Sequence, residues 1–211
     1  MIISLEIDAQ KTFTPLCPLE LPIEGGELIV AQLNAQAKLA DFRVMSKEAH
    51  SPSALWICEH AKDMGKPTGL PEADQTWVSH GIVGSYGFEL LDGLPDVTAY
   101  DFCVWKGIEP SLHPYGACFH DISEKLSTGL LEWLLMRGAK VILVGGLATD
   151  FCVKRTVLQL LKHNIGGWQV WVNVGACRGL TEESSQSALE QMEAAGARLF
   201  VSAASMALAL V

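Results

Sequence analysis

The sequence has little positive charge and no long apolar run. Of its 211 residues, 15 are Lys or Arg and 24 are Asp or Glu, which gives a formal net charge of −9. This balance argues against a nucleic-acid partner, because phosphate binding needs a basic face, and against adsorption to an anionic membrane surface. No apolar run reaches the roughly 18 residues of a membrane span. A small neutral or cationic ligand remains compatible with the charge.

The chain also lacks the cysteine spacing of a zinc ribbon or a redox site. Its six cysteines include no C-x-x-C pair, and hydrophobic residues make up 49% of the chain, so the core needs no disulfide. The first residues include Glu6 and Asp8 and no basic region, so no signal peptide is predicted. We therefore expect a reduced, cytoplasmic protein with free thiols.

Strand-like apolar runs alternate with helical patterns along the chain. The predicted strands are 2–7, 42–46, 97–105, 140–146, 168–174 and 197–201. The predicted helices are 26–40, 123–138, 153–163 and 181–195, with a further helix allowed around 52–62 in an irregular stretch. Such alternation predicts a parallel sheet covered on both faces. We expect one α/β domain over residues 1–211, whose apolar tail, 203–211, packs either on the core or on another subunit.

Three residues with chemical potential lie at predicted strand ends, where active sites of parallel α/β sheets are found. Cys152 lies between a buried strand and a helix, where the helix dipole favours a thiolate and free N–H groups can hold an oxyanion. Lys106 could lower the pKa of a neighbouring thiol, and Asp8 could take its proton. Taken singly, each also fits a structural role: a buried cysteine, a solvated strand end and a turn aspartate.

Acidic residues and histidines after the second predicted strand suggest a metal site. The candidate ligands are Glu48, His50, Glu59, His60 and His80. Carboxylates and imidazoles suit zinc, manganese or iron, although surface histidines of a loop would show the same pattern. The remaining histidines, His113, His120 and His163, are interpreted as ordinary side chains without a functional role.

Three aromatic residues, Phe13, Trp77 and Tyr115, fall in loops rather than on periodic faces. Aromatic side chains in such positions could stack on a flat ligand ring. The alternative is that each covers the rim of the core.

Several short segments around these candidates form a set. They are Asp8-Ala-Gln-Lys-Thr-Phe13, Lys106-Gly107, Gly146-Leu-Ala-Thr-Asp-Phe-Cys-Val-Lys154 and Ala176-Cys-Arg-Gly179. Together they resemble the nicotinamidase branch of the isochorismatase-like cysteine hydrolases, and the third segment is the most specific. The resemblance implies a three-layer α/β/α sandwich with a six-stranded parallel sheet.

The resemblance also implies a reaction, the hydrolysis of nicotinamide to nicotinate and ammonia through a cysteine thioester. Asp8, Lys106 and Cys152 match the catalytic triad of the family. Leu147 and Ala148 match a cis peptide bond, and the N–H groups of Ala148 and Cys152 match the oxyanion hole. Phe13, Trp77 and Tyr115 match positions that line the substrate pocket together with Leu147 and Ala148.

A divalent metal is implied as well, zinc first, with manganese and iron as alternatives. Glu48, His50 and His80 match ligand positions, and either Glu59 or His60 would complete the set. Glu48 stands where the family usually has Asp, which moves the carboxylate outward by about one methylene.

Two other functions remain open at this point. One is a related cysteine hydrolase that acts on another small amide, such as a carbamoyl or pyrazinamide-like compound. The other is a non-catalytic member of the fold. The expected partner is a small-molecule amide, and a homo-oligomer is compatible with the sequence.

Overall fold

A parallel sheet lies at the centre of the computed structural model, which describes residues 1–210. Val211, the end of the predicted domain and of its apolar tail, lies outside the described residues. The sheet strands within residues 1–210 are β1 (Ile2–Ile7), β2 (Phe42–Glu48), β3 (Phe102–Lys106), β4 (Val141–Leu147), β5 (Gln169–Arg178) and β6 (Arg198–Phe200). All six are parallel, in the order β6-β5-β4-β1-β2-β3. The first strand of the chain therefore lies inside the sheet.

Helices cover both faces of this sheet. They are α1 (Val30–Ala37), α2 (Leu130–Met136), α3 (Lys154–Lys162), α4 (Glu182–Ala194) and α5 (Ala203–Ala209). Helices α1 and α5 pack against each other and against β5, whereas α3 and α4 pack together on the opposite face. The three-layer α/β/α arrangement is thus confirmed. Among residues 1–210, no helix is both long enough and apolar enough to cross a bilayer.

The core explains why the strands read as continuous apolar runs. Ile3, Leu5 and Ile7 of β1 are fully buried in the cluster that includes α2 and α3. On the other side of the sheet, Met206 of α5 packs with Leu143 and Trp171. Strands buried on both faces need apolar residues at successive positions rather than alternating ones. The buried Met206 also shows that the C-terminal helix packs on the core of its own chain.

The helix allowed around 52–62 is wrong. This region contains the short strand Ile57–Cys58, which pairs in parallel with Trp77–Val78, and it is followed by a hairpin of Pro67–Leu70 with Ala73–Gln75. The buried Trp56 donates its indole N–H to the carbonyl of Leu112 at 3.1 Å. The course of the segment is determined by tertiary contacts of this kind, which leave no helical period in the sequence.

Two further elements begin later than predicted. The strand predicted over 97–105 starts at Phe102, because Asp96 caps a helical turn, Val97–Ala99, by accepting from the Thr98 N–H at 2.9 Å. The helix predicted over 123–138 starts at Leu130, after Gly129, whose φ of 85° is not helical. In both cases local turn chemistry replaces the first part of a regular element.

Candidate active site

Buried charges converge at the carboxyl edge of three neighbouring strands. Asp8 directly follows β1, while Glu48 and Lys106 are the last residues of β2 and β3 and are register partners. The Lys106 ammonium lies 2.9 Å from Asp8 Oδ2 and also contacts Glu48 Oε1. The side chains are at most 1% exposed. Because parallel strands end at the same edge, side chains that are distant in sequence meet here.

The Cys152 thiol completes this cluster from the next strand, β4. It lies in a π-helical turn, Thr149–Val153, that connects β4 to α3. Its Sγ is 3.6 Å from Lys106 Nζ and 3.4 Å from Glu48 Oε1. A cis peptide bond joins Leu147 and Ala148, as the resemblance implies. The structure thus brings Asp8, Lys106 and Cys152 together.

Lys106 and Glu48 form the charged pair of the cluster. Burial would lower the pKa of Lys106, but Asp8, Cys152 and Glu48 outweigh it and raise the pKa above its usual range. Burial would raise the pKa of Glu48, but the Lys106 ammonium and His50 hold it well below its usual range. At neutral pH the pair is therefore an ammonium and a carboxylate. Each charge compensates the other, which a buried ion requires.

Asp8 and Cys152 shift toward their neutral forms. Burial raises the pKa of Asp8, against the opposing effect of Lys106. Burial also raises the pKa of Cys152 well above that of a free thiol, again against the attraction of Lys106. The helix-terminal thiolate expected from the sequence is therefore not the resting form. The thiol needs a base to remove its proton, and a carboxylate with a raised pKa suits that task.

Two buried polar residues that the sequence analysis missed support the cluster. Ser46 donates its hydroxyl to Asp8 Oδ1 at 2.6 Å. Gln10 accepts from the Glu48 N–H at 2.7 Å and donates to the carbonyls of Glu48 and Phe88 at 3.0 and 3.1 Å. Gln10 lies two residues after Asp8, and Ser46 two residues before Glu48. The sequence signals for them were their nearness to the strand ends and, for Gln10, its place in the segment 8–13 that carries the resemblance.

A mostly apolar pocket opens onto the Cys152 thiol. Its lining consists of Phe13, Leu21, Ile23, Glu48, Trp77, His80, His113, Tyr115, Ala148, Phe151, Cys152 and Leu180. The predicted pocket residues Phe13, Trp77, Tyr115 and Ala148 are among them, whereas Leu147 is buried in the adjoining core cluster. The rings of Trp77 and Phe151 meet edge to face at 5.1 Å. Such a lining suits a flat aromatic ligand.

Three buried histidines lie beside this pocket. The ring centroids of His50 and His80 are 4.8 Å apart, and those of His50 and His113 are 5.1 Å apart and stacked. Burial lowers the pKa of His80 to about 3 and that of His113 well below its usual value. Both are neutral imidazoles at physiological pH, which is the form that binds metals.

The placement of the remaining histidines and of Glu59 corrects the sequence analysis. Glu59 and His60 are exposed side chains before the short turn Ala61–Asp63, so neither is placed to be a ligand. His113, interpreted as an ordinary histidine, is instead buried among the pocket residues. His120 and His163 are partly exposed, and His163 Nε2 lies 2.9 Å from the Glu124 carboxylate.

The fold and the site together define a class of protein. It is an α/β protein with a cysteine-centred site, in which a thiol lies between a carboxylate and an ammonium at the carboxyl edge of a parallel sheet. The chain belongs to the isochorismatase domain family, whose family model matches residues 7–204. Among curated relatives, the nicotinamidase of Acinetobacter baylyi is 28% identical over 194 residues, which cover 90% of this chain and 87% of that protein.

Solved structures have the same fold. The nicotinamidase/pyrazinamidase of Acinetobacter baumanii superposes with a TM-score of 0.83 at 24% identity, covering 97% of either chain. The pyrazinamidase of Pyrococcus horikoshii in complex with zinc has a TM-score of 0.73 at 24% identity, covering 94% of this chain and 98% of the other. At these identities the likeness concerns the fold.

The contacts of Gln10 predict that this side chain stabilises the backbone around Glu48. In Gln10→Ala the backbone groups of Glu48 and Phe88 lose their buried partner, and we expect a loss of about 1–3 kcal/mol in the free energy of unfolding. Urea unfolding measures it. The matched control is Gln186→Ala on the exposed face of α4, which should change the free energy by less than about 0.5 kcal/mol. Equal losses in the two variants would contradict the support that we assign to Gln10.

Proposed function

We propose that this chain hydrolyses nicotinamide to nicotinate and ammonia through a thioester on Cys152. The observation on which this rests is the convergence of Asp8, Lys106 and Cys152 beneath an aromatic pocket. The family and the nicotinamidase relative support the same reaction. The arrangement supplies a nucleophile, a base and a fixed positive charge, which are the parts that amide hydrolysis through a covalent intermediate requires.

In the first half of the reaction, the Asp8 carboxylate takes the proton of the Cys152 thiol. The sulfur attacks the amide carbon, a C–S bond forms, and the carbonyl electron pair moves onto oxygen. The N–H groups of Ala148 and Cys152 are the proposed donors to this oxyanion, where the loss of one donor typically costs about 10²–10³ in rate. When the C–N bond breaks, Asp8 returns the proton to the leaving nitrogen and ammonia departs.

In the second half, water attacks the thioester carbon and gives its proton to Asp8. The C–S bond breaks, the sulfur takes that proton back from Asp8, and the product leaves as nicotinic acid, which gives its remaining proton to solvent and becomes nicotinate. Lys106 stays protonated throughout and stabilises the anionic sulfur by its charge, since its Nζ lies 3.6 Å from Sγ. The site excludes bulk water, so this charge acts more strongly than it would at the surface.

The pocket supports a flat aromatic substrate. Phe13 and Trp77 are buried, and Tyr115 is held by hydrogen bonds of its hydroxyl to Asp74 at 2.7 Å and from Gln75 at 3.0 Å. Fixed aromatic walls cost little side-chain entropy on binding. Pyrazinamide has the same shape, so we expect it to fit the pocket as well, whereas a non-aromatic carbamoyl compound would lose the stacking contacts.

The residues beside the pocket fit a divalent metal. His50 Nε2 is buried without a hydrogen bond, although it lies 2.7 Å from Glu48 Oε2, and both nitrogens of His113 are buried without a partner. We propose that His50 and His80 hold the ion, with zinc as the first choice because zinc takes imidazole ligands readily. When bound, the metal would supply a Lewis acid that holds the ring nitrogen of the substrate or a water molecule near it.

We further propose a cytoplasmic enzyme that acts as a single domain on a small-molecule amide. The cysteines Cys17, Cys58, Cys103, Cys118, Cys152 and Cys177 are all free thiols, as in a reducing compartment. A homo-oligomer is compatible with this proposal.

The nucleophile is tested by replacing Cys152. In Cys152→Ala we expect ammonia release from nicotinamide to fall by about 10³-fold or more, because a covalent route without its nucleophile is closed. The measurement is a coupled ammonia assay at saturating nicotinamide, with circular dichroism to verify folding. Cys58→Ala, at a half-buried thiol outside the pocket, is the control and should keep wild-type activity. A Cys152→Ala enzyme that retained a tenth of the wild-type rate would remove Cys152 from this role.

The pH profile tests Asp8 as the base. Activity requires the carboxylate, so it is lost as the pH falls through the raised pKa of Asp8. In Ser46→Ala the carboxylate loses a hydrogen bond that favours its charged form, so the acid limb of kcat/KM should move to higher pH. A shift of about one pH unit is expected, since a hydrogen bond to a charged group contributes on the order of 1.5 kcal/mol.

The control for this shift is Ser53→Ala, at an exposed serine whose hydroxyl lies near that of Ser51. Its acid limb should coincide with that of the wild type. A limb that stays in place or moves to lower pH in Ser46→Ala would exclude Asp8 as the group that controls it.

A further inference from the structure

Three histidines from separate loops present their rings to one point. His50 follows β2, His80 follows the short strand Trp77–Val78, and His113 lies in the loop after β3. One nitrogen from each ring can be chosen so that all three lie within 4.8 Å of one another, and each residue is at most 2% exposed. Buried polar side chains are normally hydrogen-bonded, so a cluster of this kind needs a partner that the protein alone does not supply.

Backbone contacts orient two of these rings. His50 Nδ1 is 3.1 Å from the carbonyl of Gly107, and His80 Nδ1 is 2.8 Å from the carbonyl of Val78. A carbonyl oxygen only accepts, so Nδ1 is the donor in both rings, which leaves Nε2 as the nitrogen that could bind a metal. A hydrogen bond of this kind from the second nitrogen is typical of metal-binding histidines.

Gly107 allows the His50 ring to lie where it does. A Cβ at this position would clash with the His50 ring, and the residue has a φ of 80°. The residue after Lys106 therefore has to be glycine both for its backbone conformation and for the close approach of the ring. The position of His50 is thus tied to the strand end that presents Lys106.

His113 has no such backbone partner. Both of its ring nitrogens are buried without a hydrogen bond, while its ring stacks on that of His50 and packs edge to face on Trp56 at 4.3 Å. Leaving a buried nitrogen unpaired is energetically costly. A cation bound by His113 would remove that cost.

Glu48 is engaged through one of its two carboxylate oxygens, whereas Oε2, like His50 Nε2, is buried without a hydrogen bond. Its Oε1 contacts the Lys106 ammonium and lies 3.4 Å from Cys152 Sγ. One ligand atom each from Glu48, Asp8 and Cys152 also lie within 4.8 Å of one another. The other oxygen of Glu48, Oε2, is 2.7 Å from His50 Nε2. The main charge partner of this carboxylate is therefore the buried ammonium.

We infer that His113 is a metal ligand of this chain, that it completes a three-histidine site with His50 and His80, and that Glu48 serves mainly as the counter-ion of Lys106. The inference rests on the proposed function only for the presence of a divalent metal. Three imidazoles form a ligand set that zinc accepts. Because Glu48 and His50 are in contact, the three-histidine site lies directly beside the cluster of Asp8, Lys106 and Cys152.

The test is zinc binding by the chelator-stripped protein, measured by isothermal titration in the absence of substrate. In His113→Gln we expect the affinity for zinc to fall by at least about tenfold, and in Glu48→Gln by less than in His113→Gln. His120→Gln, at a half-buried histidine outside the cluster, is the matched control and should stay within twofold of the wild type. Circular dichroism verifies the fold of each variant.

Wild-type affinity in His113→Gln, or a larger loss in Glu48→Gln, would overturn the inference. If a variant fails to fold, nitrogen-15 NMR of the wild-type chain with labelled histidines tests the same inference. Zinc should then shift the ring nitrogens of three histidines, and a shift in only two would contradict the site.

Nicotinamide hydrolysis is assayed separately, so that the two claims can fail independently. If the protein hydrolyses nicotinamide but its zinc affinity does not depend on His113, only the inference about His113 is overturned. Zinc binding that depends on His113 without hydrolysis would support the inference and overturn the proposed substrate.

Discussion

The buried ammonium of Lys106 is the interaction on which the site depends. An isolated ion inside a protein costs several kcal/mol, so its position is tolerable only beside compensating charges. Asp8 at 2.9 Å and Glu48 supply them from the ends of the two adjacent strands. Parallel pairing of β1, β2 and β3 brings these ends to one edge. The geometry of the sheet thus places a carboxylate, an ammonium and a second carboxylate together before any loop contributes.

The loops add the Cys152 thiol, the proposed nucleophile, and the pocket to this charged edge. The turn after β4 places Cys152 within 3.6 Å of the ammonium, and the segments that contain Trp77 and Tyr115 cover the thiol with aromatic rings. This cover makes the surroundings of the cluster apolar, which strengthens each charge–charge contact. It also raises the pKa of the thiol by burial, so in the proposed reaction the thiol must first pass its proton to Asp8.

The strand-end residues could be predicted from sequence because each followed an apolar run of clear length. The rule that parallel strands end at one edge brought Asp8, Lys106 and Cys152 together, and the family resemblance gave them their expected roles. The histidines could not be assigned in this way. The segments 51–76 and 108–115 have no period, and their course depends on contacts such as that of Trp56 with the Leu112 carbonyl. Glu59 and His60 therefore appeared as ligand candidates, whereas His113, distant in sequence, is the residue that joins the cluster.

The most direct test of the central claim is the addition of the Cys152 thiol to an aldehyde analogue of nicotinamide. The S–H group adds across the C=O bond, the sulfur joins the carbon, and the oxygen takes the proton, so no leaving group can complete the reaction. With the aldehyde carbon labelled by carbon-13, NMR should show a tetrahedral thiohemiacetal signal in the wild type and none in Cys152→Ala. Only free aldehyde in the wild type, or an adduct that persists in Cys152→Ala, would contradict the account.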